Sequence, residues 1–194
     1  MEETEMAFEA KDKLQVAVIY GSDREGRLCD AIATWLLPEL AKTLNAEIKV
    51  LDPLQLGLPA RLLSSDTAEV TAFKALVDQS DCFVILTPEY NHSFPSAVKH
   101  LLDTAYVEWG RKPVAFVSYG GMAGGVRAVE QLRQVVAELS MVAVRNAVAL
   151  PNPWNNLEDD VFHPTDQAAA AVDTMMTDLV WWASALKLPR QQAS

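Results

Sequence analysis

Cysteine is scarce in this chain. Two of the 194 residues are cysteines, Cys29 and Cys82, and they lie far apart in the sequence. They form neither a CxxC pair nor a zinc-binding spacing, which argues against a redox dithiol or a thiolate metal centre. We expect two reduced thiols, one of them in the core of a strand. The histidines at positions 100 and 163 do not suggest a metal site either.

Basic residues are also few. Sixteen lysines and arginines face 26 aspartates and glutamates, which gives a formal net charge of −10. Nucleic acids and anionic membrane surfaces attract cationic proteins, so we expect neither as a partner. A small anionic ligand stays compatible with this charge, because a few basic residues in one pocket are enough to bind it.

Long hydrophobic runs are missing too. The apolar runs at residues 14–20 and 82–86 are far shorter than the roughly 20 residues of a membrane-spanning helix. The first residues, MEETEMAFEAKDK, are acidic and lack the basic and apolar regions of a secretory signal. We therefore expect no membrane span and a cytoplasmic location. Residues 1–13 are predicted to be a polar tail.

What the chain does contain suits a packed domain. Half of its residues are hydrophobic and 22% are charged, a composition typical of globular proteins with a full core. We predict a single domain over residues 14–188.

Five short apolar segments alternate with segments of helical periodicity. Continuous apolar runs between helices are typical of parallel strands that are buried on both faces. The alternation predicts one doubly wound α/β sheet with helices on both faces. The predicted strands are residues 14–20, 46–51, 82–87, 113–118 and 142–150.

Local signals mark several helix ends. Pro38 lies inside the first predicted helix, where we expect a kink or an early stop. Asp66 and Glu69 form a capping-box-like pair before the second helix. Pro95 is placed to open the third helix, and Thr165 to cap the last one. Residues 151–164 are predicted to be an irregular loop.

Three loops follow the first, third and fourth predicted strands. In an open parallel sheet, ligands bind beyond the carboxyl ends of the strands, where the winding direction changes. With the strand order 2-1-3-4-5, this edge is formed by residues 21–27, 88–95 and 118–125. Glycine permits close backbone approach to a ligand, although it also simply makes turns. Six of the eight glycines lie in two of these loops: Gly21, Gly26, Gly120, Gly121, Gly124 and Gly125.

The first loop, GSDREGR, lies between a strand and a helix N-terminus. Free backbone N–H groups and the helix dipole favour an anion at such a position. The spacing matches neither a P-loop nor a dinucleotide-binding GxGxxG motif, so it indicates a phosphate monoester. In the alternative interpretation, the loop is a solvated turn whose arginines pair with Asp23 or Glu25. The candidate phosphate contacts are Ser22, Arg24 and Arg27.

The second loop begins with Pro88, Glu89, Tyr90 and Asn91. The edge of a flat ligand needs backbone donors and acceptors together with an apolar or aromatic face, and this tetrapeptide can supply both. Asn91 can also anchor the loop by bonding its own backbone. The next residue, His92, is either a proton donor near the ligand or a surface histidine.

The third loop, SYGGMAGG, opens another helix. Its amides can face the polar edge of a ring that gains electron density on reduction. Tyr119 is either a contact to that ring or a core tyrosine, and the sequence favours neither.

Together, these loops resemble those of the NADPH-dependent FMN reductase family, whose members are flavodoxin-like flavin, quinone, azo-dye and chromate reductases. The family pattern is a GSxR-type phosphate loop, a PEYN loop and an SxGGxxGG-type loop in this order. This chain has GSDREGR, PEYNHSFPSAVKHLLD and KPVAFVSYGGMAGGVRAVEQLR within residues 13–150. The resemblance implies a flavodoxin-like three-layer sandwich with a five-stranded parallel sheet of order 2-1-3-4-5.

The resemblance also implies an FMN site. Many relatives carry small hydroxyl or amide residues where this chain has Arg27 and Cys29, which is a departure from the pattern. The implied contacts are Ser22, Arg24, Gly26 and Arg27 to the phosphate, Pro88, Glu89, Tyr90 and Asn91 to the isoalloxazine, and Ser118, Tyr119, Gly120 and Gly121 to its far edge.

The implied activity is hydride transfer from NADPH or NADH, through FMN, to a small-molecule acceptor such as a flavin, a quinone or an azo compound. Because the flavin N5 carries the hydride, we expect no catalytic side chain. Selectivity for NADPH needs a positive contact to its extra phosphate, for which Arg127 is the best candidate and Arg111 and Lys112 are the next ones. The alternatives are a flavodoxin-type electron carrier and a flavin-binding protein without turnover.

Members of this family typically form homodimers or homotetramers, with the flavin near the interface. Tyr106, Glu108 and Trp109 follow the helix after PEYN. They belong either to such an interface or to ordinary packing at the end of that helix.

Overall fold

A parallel sheet forms the centre of the structure, a computed structural model that describes residues 13–44 and 46–192. Its strand order is β2-β1-β3-β4-β5, with β6 also paired to β4, and every pairing is parallel. This confirms the predicted 2-1-3-4-5 sheet of a flavodoxin-like fold. Its strands are β1 (Gln15–Tyr20), β2 (Glu47–Leu51), β3 (Cys82–Pro88), β4 (Pro113–Gly120), β5 (Val142–Ala143) and β6 (Val148–Pro151).

Five α-helices connect and cover the strands. Apolar side chains from α1 and α5 pack on one face of the sheet, and those of α2, α3 and α4 pack on the other. The helices are α1 (Cys29–Leu44), α2 (Ala68–Gln79), α3 (Ser96–Thr104), α4 (Val126–Glu138) and α5 (Asp166–Gln192). Within the described ranges, no helix is long and apolar enough to span a membrane. The predicted polar tail lies outside the described residues except for Lys13.

The fifth predicted strand is interrupted, which corrects the expectation of one strand over residues 142–150. It consists of β5 and β6, both paired with β4. Between them, the guanidinium of Arg133 on α4 binds the backbone oxygens of Val144 and Arg145, at 2.8 and 3.0 Å. The Asn146 side chain binds Asp178 on α5. Together with the backbone bond from the Val144 N–H to the Val114 oxygen at 2.9 Å, these side-chain contacts hold the segment between the two strands.

Two local expectations about helix ends are also corrected. Of the two outcomes expected at Pro38, a kink or an early stop, the stop is excluded, because helix α1 continues to Leu44. Its face is buried on both sides of the proline, at Leu36 and Leu40, and this burial outweighs a local cost of about 3 kcal/mol. The second correction concerns the expected pair of Asp66 and Glu69 at the start of α2. The N-cap is Thr67 rather than Asp66, and the Thr67 hydroxyl accepts from the Val70 N–H.

Other local predictions agree with the structure or differ slightly. The hydroxyl of Thr165 accepts from the N–H of Ala168 at 3.2 Å, which confirms its cap. Pro95 occupies the cap position before α3 rather than its first turn. The predicted irregular loop contains a short antiparallel pair, β7 (Leu157–Glu158) and β8 (Val161–Phe162).

Both cysteines are buried and unpaired, as expected for reduced thiols. Cys29 begins α1 and Cys82 begins β3, and both pack in the layer between the sheet and the α1 and α5 helices. Burial raises the pKa of each thiol to about 12. Both side chains therefore stay neutral at physiological pH.

The amino ends of the strands hold a second group of predicted residues. Trp109 is fully buried and donates to the backbone oxygens of Leu102 and Ala105, both at 3.1 Å. Its ring packs in the core, which supports the alternative of helix-end packing for this residue. Tyr106, by contrast, is exposed, and Glu108 is half-buried.

Lys112 lies at this same edge, where it is buried and donates to the backbone oxygens of Val77 and Asp78 in the last turn of α2. Burial lowers the pKa of its ammonium to about 8. Lys112 and Arg111 precede β4, whereas Arg127 follows it. The whole strand therefore separates them from Arg127, and these two lower-ranked candidates for NADPH selectivity lie at the opposite edge of the sheet from the three loops.

Candidate functional site

The three predicted loops meet at the carboxyl edge of the sheet. The Gly21 N–H donates to the Leu86 oxygen at 2.7 Å, which joins the start of the first loop to β3. The Glu89 N–H donates to the Tyr119 oxygen at 3.0 Å, which joins the second loop to the end of β4. The parallel register of β1, β3 and β4 therefore brings the loops side by side, as the strand order predicted.

Gly21 shows why the first loop begins with glycine. A Cβ atom at this position would lie 2.7 Å from the Leu86 oxygen and 2.8 Å from the Thr87 Cα. These contacts are with backbone atoms of β3, which cannot move without breaking the sheet. A side chain at position 21 would therefore push the loop away from its neighbour.

The first loop is a tight turn with an exposed outer part. The Arg27 N–H donates to the Arg24 oxygen at 3.2 Å, and Gly26 takes the positive φ of 63° that the turn requires. Residues 23–26 are exposed. Ser22, in contrast, is fully buried, and its hydroxyl lies 2.9 Å from the Tyr90 hydroxyl and accepts from the Arg24 N–H.

Arg27 points inward and binds acidic side chains. Its guanidinium forms a bidentate pair with Asp52 at the end of β2, with both N–O distances at 2.7 Å. It also binds Asp30 in the first turn of α1 and the backbone oxygen of Ser22. The Asp23 and Glu25 pairings considered from the sequence are not those that Arg27 makes.

The second loop is a compact turn. Tyr90 and Ser93 exchange backbone hydrogen bonds at 2.9 and 3.0 Å. Between them, Asn91 and His92 are exposed and have positive φ angles of 51° and 67°. Asparagine adopts this conformation more readily than most residues, which gives Asn91 a role in shaping the loop.

Glu89 connects the second loop to α4. Its side chain accepts from the Arg127 guanidinium at 2.8 Å and from the Arg127 backbone N–H at 3.2 Å. A carboxylate at this position also satisfies a free N–H in the first turn of the helix. Arg127, the candidate NADPH contact, therefore lies beside the second loop, with its side chain partly exposed.

The third loop depends on two glycines with left-handed backbone, Gly124 and Gly125. Gly125 has a φ of 86°, and a Cβ there would lie 2.8 Å from the Ser118 Cβ and from the Tyr119 N. The Ser118 hydroxyl donates to the Gly124 oxygen at 2.8 Å and so fixes the inside of the loop. Gly121 differs, because a Cβ added to it would meet no atom within 4 Å.

Tyr119 lies on the core side of β4. It is 5% exposed, and its ring packs in the same layer as Cys29. Burial raises the pKa of its hydroxyl, and the neighbouring Cys29 thiol raises it further. Of the two roles considered for Tyr119, the structure favours that of a core tyrosine whose backbone oxygen holds the second loop.

Nine of the twelve predicted site residues fall into two groups, and the other three, Pro88, Tyr119 and Gly120, are buried or half-buried at the ends of β3 and β4. Those that still present exposed atoms at this edge are Arg24, Gly26, Asn91 and Gly121. Those whose side chains are engaged in protein contacts are Ser22, Arg27, Glu89, Tyr90 and Ser118. Asp52 was missed from the sequence. Its position directly after the second predicted strand, at this edge of the sheet, was the available signal.

Comparison with known proteins adds one decisive observation. The family described as NADPH-dependent FMN reductase matches residues 14–155 of this chain. The chain belongs to this family. The match covers all three loops and the strands that carry them.

Relatives within the family are similar over most of their length. An NAD(P)H-dependent FMN reductase of Schizosaccharomyces pombe is 36% identical over 159 residues, covering 77% of this chain and 79% of the relative. A quinone reductase of Escherichia coli is 31% identical and covers 69% of this chain and 74% of that relative.

A solved structure shares the fold of this chain. The flavoenzyme NAD(P)H:(acceptor) oxidoreductase FerB from Paracoccus denitrificans superposes with a TM-score of 0.68. It is 22% identical, and the match covers 89% of this chain and 98% of FerB.

The residues at this edge fit the cofactor in the family's name. A phosphate monoester needs backbone N–H groups and a cation, and the first loop has exposed residues 23–26 with Arg24 among them. A flat ring needs room beside backbone amides, and the position that a Cβ of Gly121 would occupy has no atom within 4 Å. The glycine-rich loop is exposed at this position, so a ring can approach its amides.

Proposed function

We propose that this protein is an FMN-dependent oxidoreductase that takes a hydride from NAD(P)H and passes reducing equivalents to a flavin or quinone acceptor. The observation that carries this proposal is the convergence of three loops at one sheet edge in a member of the NADPH-dependent FMN reductase family. The names of relatives that match most of the chain, FMN reductase and quinone reductase, support the two acceptor classes.

In this proposal, FMN lies across the carboxyl edge of β1, β3 and β4. The phosphate lies on the first loop, and the isoalloxazine lies between the second and third loops, mostly against backbone atoms. The buried side chains contribute by fixing the loops. The proposed cofactor residues are Ser22, Arg24, Gly26, Arg27, Pro88, Glu89, Tyr90, Asn91, Ser118, Tyr119, Gly120 and Gly121.

Bound FMN supplies the ring nitrogen that accepts and donates the hydride. The chain's own residues bind and orient the ring and hold its polar edge against the amides of the third loop. No thiol nucleophile is proposed, since burial raises the pKa of the nearby Cys29 thiol to about 12.

We also propose a single domain over residues 14–188, continued by α5 to Gln192, and a cytoplasmic homodimer or homotetramer. A second copy would cover large apolar side chains that are exposed on one side of the chain. These are Leu62, Leu63, Tyr106 and Val107, with exposed fractions of 45–77%. Light scattering at a concentration of a few micromolar would test the assembly, and a monomer would refute it.

The activity is tested with purified protein, FMN and a quinone. We expect the protein to retain FMN and to oxidise NADPH or NADH at a rate that depends on quinone concentration. Protein stripped of FMN is the matched control and should regain the rate on addition of FMN. FMN retention with negligible NAD(P)H oxidation would favour the electron carrier, and failure to bind FMN would refute the proposal.

A further inference from the structure

Arg27 has no donor left for a phosphate. A guanidinium carries five N–H groups, and each of them has a protein partner here. Nε–H and one Nη2 N–H bind Asp30, at 3.0 and 2.8 Å. The other Nη2 N–H and one Nη1 N–H bind Asp52, and the second Nη1 N–H binds the Ser22 oxygen at 2.7 Å.

The charge of Arg27 is also compensated. Its side chain is 6% exposed and that of Asp52 is 5% exposed. The hydrogen bond from Arg27 lowers the pKa of the Asp52 carboxyl, so this pair is ionised at neutral pH. Asp30 adds a second carboxylate, and one positive charge therefore faces two negative ones. The cluster as a whole does not attract a dianion.

Arg24 has the opposite character. It is exposed and bonds within the loop through its backbone N–H and C=O. Its guanidinium is therefore the accessible cation of the first loop. The two arginines of the motif differ in role although they are three residues apart.

The contact between Arg27 and Ser22 sets the orientation of a peptide group. The structure has no cis peptide bond among its described residues. In a trans peptide, the C=O of one residue and the N–H of the next point to opposite sides. Because Arg27 holds the Ser22 oxygen on its own side, the N–H of Asp23 points to the other side of the loop.

We propose that Arg27, clamped by Asp52, is a positioning residue that shapes the first loop so that backbone N–H groups and Arg24 bind the FMN phosphate. This inference rests on the proposed FMN site and replaces a direct contact between Arg27 and phosphate. It also gives Asp52, in the loop after β2, a role in cofactor affinity without contact to the cofactor. A bidentate arginine–carboxylate pair suits this task because its geometry is fixed.

The test compares FMN with riboflavin, which lacks the phosphate. Dissociation constants of both ligands are measured by fluorescence quenching with the stripped protein and with Asp52→Asn, Arg27→Lys and Arg24→Ala variants. Asp30→Asn is the matched control, since Asp30 is 60% exposed and its loss leaves the bidentate pair intact. Thermal unfolding of each variant is recorded beside the titrations.

A positioning role predicts that Asp52→Asn weakens FMN binding about tenfold or more, the loss expected for a charge-assisted contact to the phosphate. Riboflavin affinity should change much less, and Asp30→Asn should change neither ligand by more than about threefold. Arg27→Lys should lose as much FMN affinity as Asp52→Asn, because an ammonium cannot form the bidentate pair that a guanidinium forms with Asp52. Arg24→Ala should show the same selective loss.

A direct phosphate contact predicts a different pattern. Asp52→Asn would then free the guanidinium, and FMN affinity would stay or increase, while Arg27→Lys would keep most of the affinity. Either result overturns the inference, as does an equal loss for FMN and riboflavin. If Asp52→Asn does not fold, Arg27→Lys decides between the two patterns. If the unaltered protein binds neither ligand, the proposed function itself fails.

Discussion

Two alanine substitutions in the third loop should separate its internal geometry from its contact with the cofactor. Gly125→Ala forces alanine into a φ of 86° and places its Cβ 2.8 Å from the Tyr119 N. The left-handed backbone costs about 1–2 kcal/mol, and the overpacking adds about 1–3 kcal/mol. The free energy of unfolding should therefore fall by about 2–5 kcal/mol.

Gly121→Ala is the matched control for stability, because its Cβ would meet no atom within 4 Å. We expect its free energy of unfolding to change by no more than about 0.5 kcal/mol. FMN affinity should nevertheless decrease, since the added methyl group enters the space proposed for the far edge of the ring. The size of this decrease depends on how closely the ring approaches.

The assay is thermal unfolding of both variants without ligand, followed by FMN titration. For a chain of this size, about 2–5 kcal/mol corresponds to a melting temperature lower by about 5–15 °C for Gly125→Ala. An unchanged melting temperature for Gly125→Ala would refute the packing argument. Undiminished FMN affinity for Gly121→Ala would refute the placement of the ring edge at this loop.

Three further predictions concern other parts of the molecule. Trp109→Ala should lower the free energy of unfolding by about 3–5 kcal/mol, measured by urea denaturation, whereas Trp181→Ala, at a residue 64% exposed, should change it by about 0.5 kcal/mol or less. A thiol reagent at pH 8 should label neither Cys29 nor Cys82 in the native protein and both in denaturant. Burial raises the pKa of both thiols from the ordinary 9.0 to about 12 in the folded protein, so the unfolded state loses these protons first. The free energy of unfolding should therefore fall as pH rises from about 9 towards 12. A flat profile over that window would contradict the burial of the two thiols. Arg127→Ala should reduce the preference for NADPH over NADH in steady-state kinetics, and an unchanged preference would exclude this arginine as the phosphate contact.

The sheet could be predicted because its strands carry a strong local signal. Residues of β1, β3 and β4 are buried almost without interruption, so each appears in the sequence as a continuous apolar run. The alternation with helices then restricts the topology. Residues 142–150 are apolar except for Arg145 and Asn146. The break between β5 and β6 includes these two residues, where Arg133 and Asp178, distant in sequence, bind the chain.

The candidate site could be located but not resolved into roles. The strand order places three loops at one edge, and the glycines mark where the backbone turns. The partner of a charged side chain, however, depends on which element lies opposite. Arg27 looks like a phosphate ligand beside Arg24 in the sequence, and only the packing of β2 beside β1 brings Asp52 to it. Trp109 and Tyr119 were ambiguous for the same reason.

The most direct test of the account is a crystal structure of the protein with bound FMN. The account predicts the phosphate on residues 22–27 and the isoalloxazine between residues 88–91 and 118–121, at the carboxyl edge of β1, β3 and β4. FMN at any other place on the protein, or its absence after crystallisation with excess FMN, would contradict it.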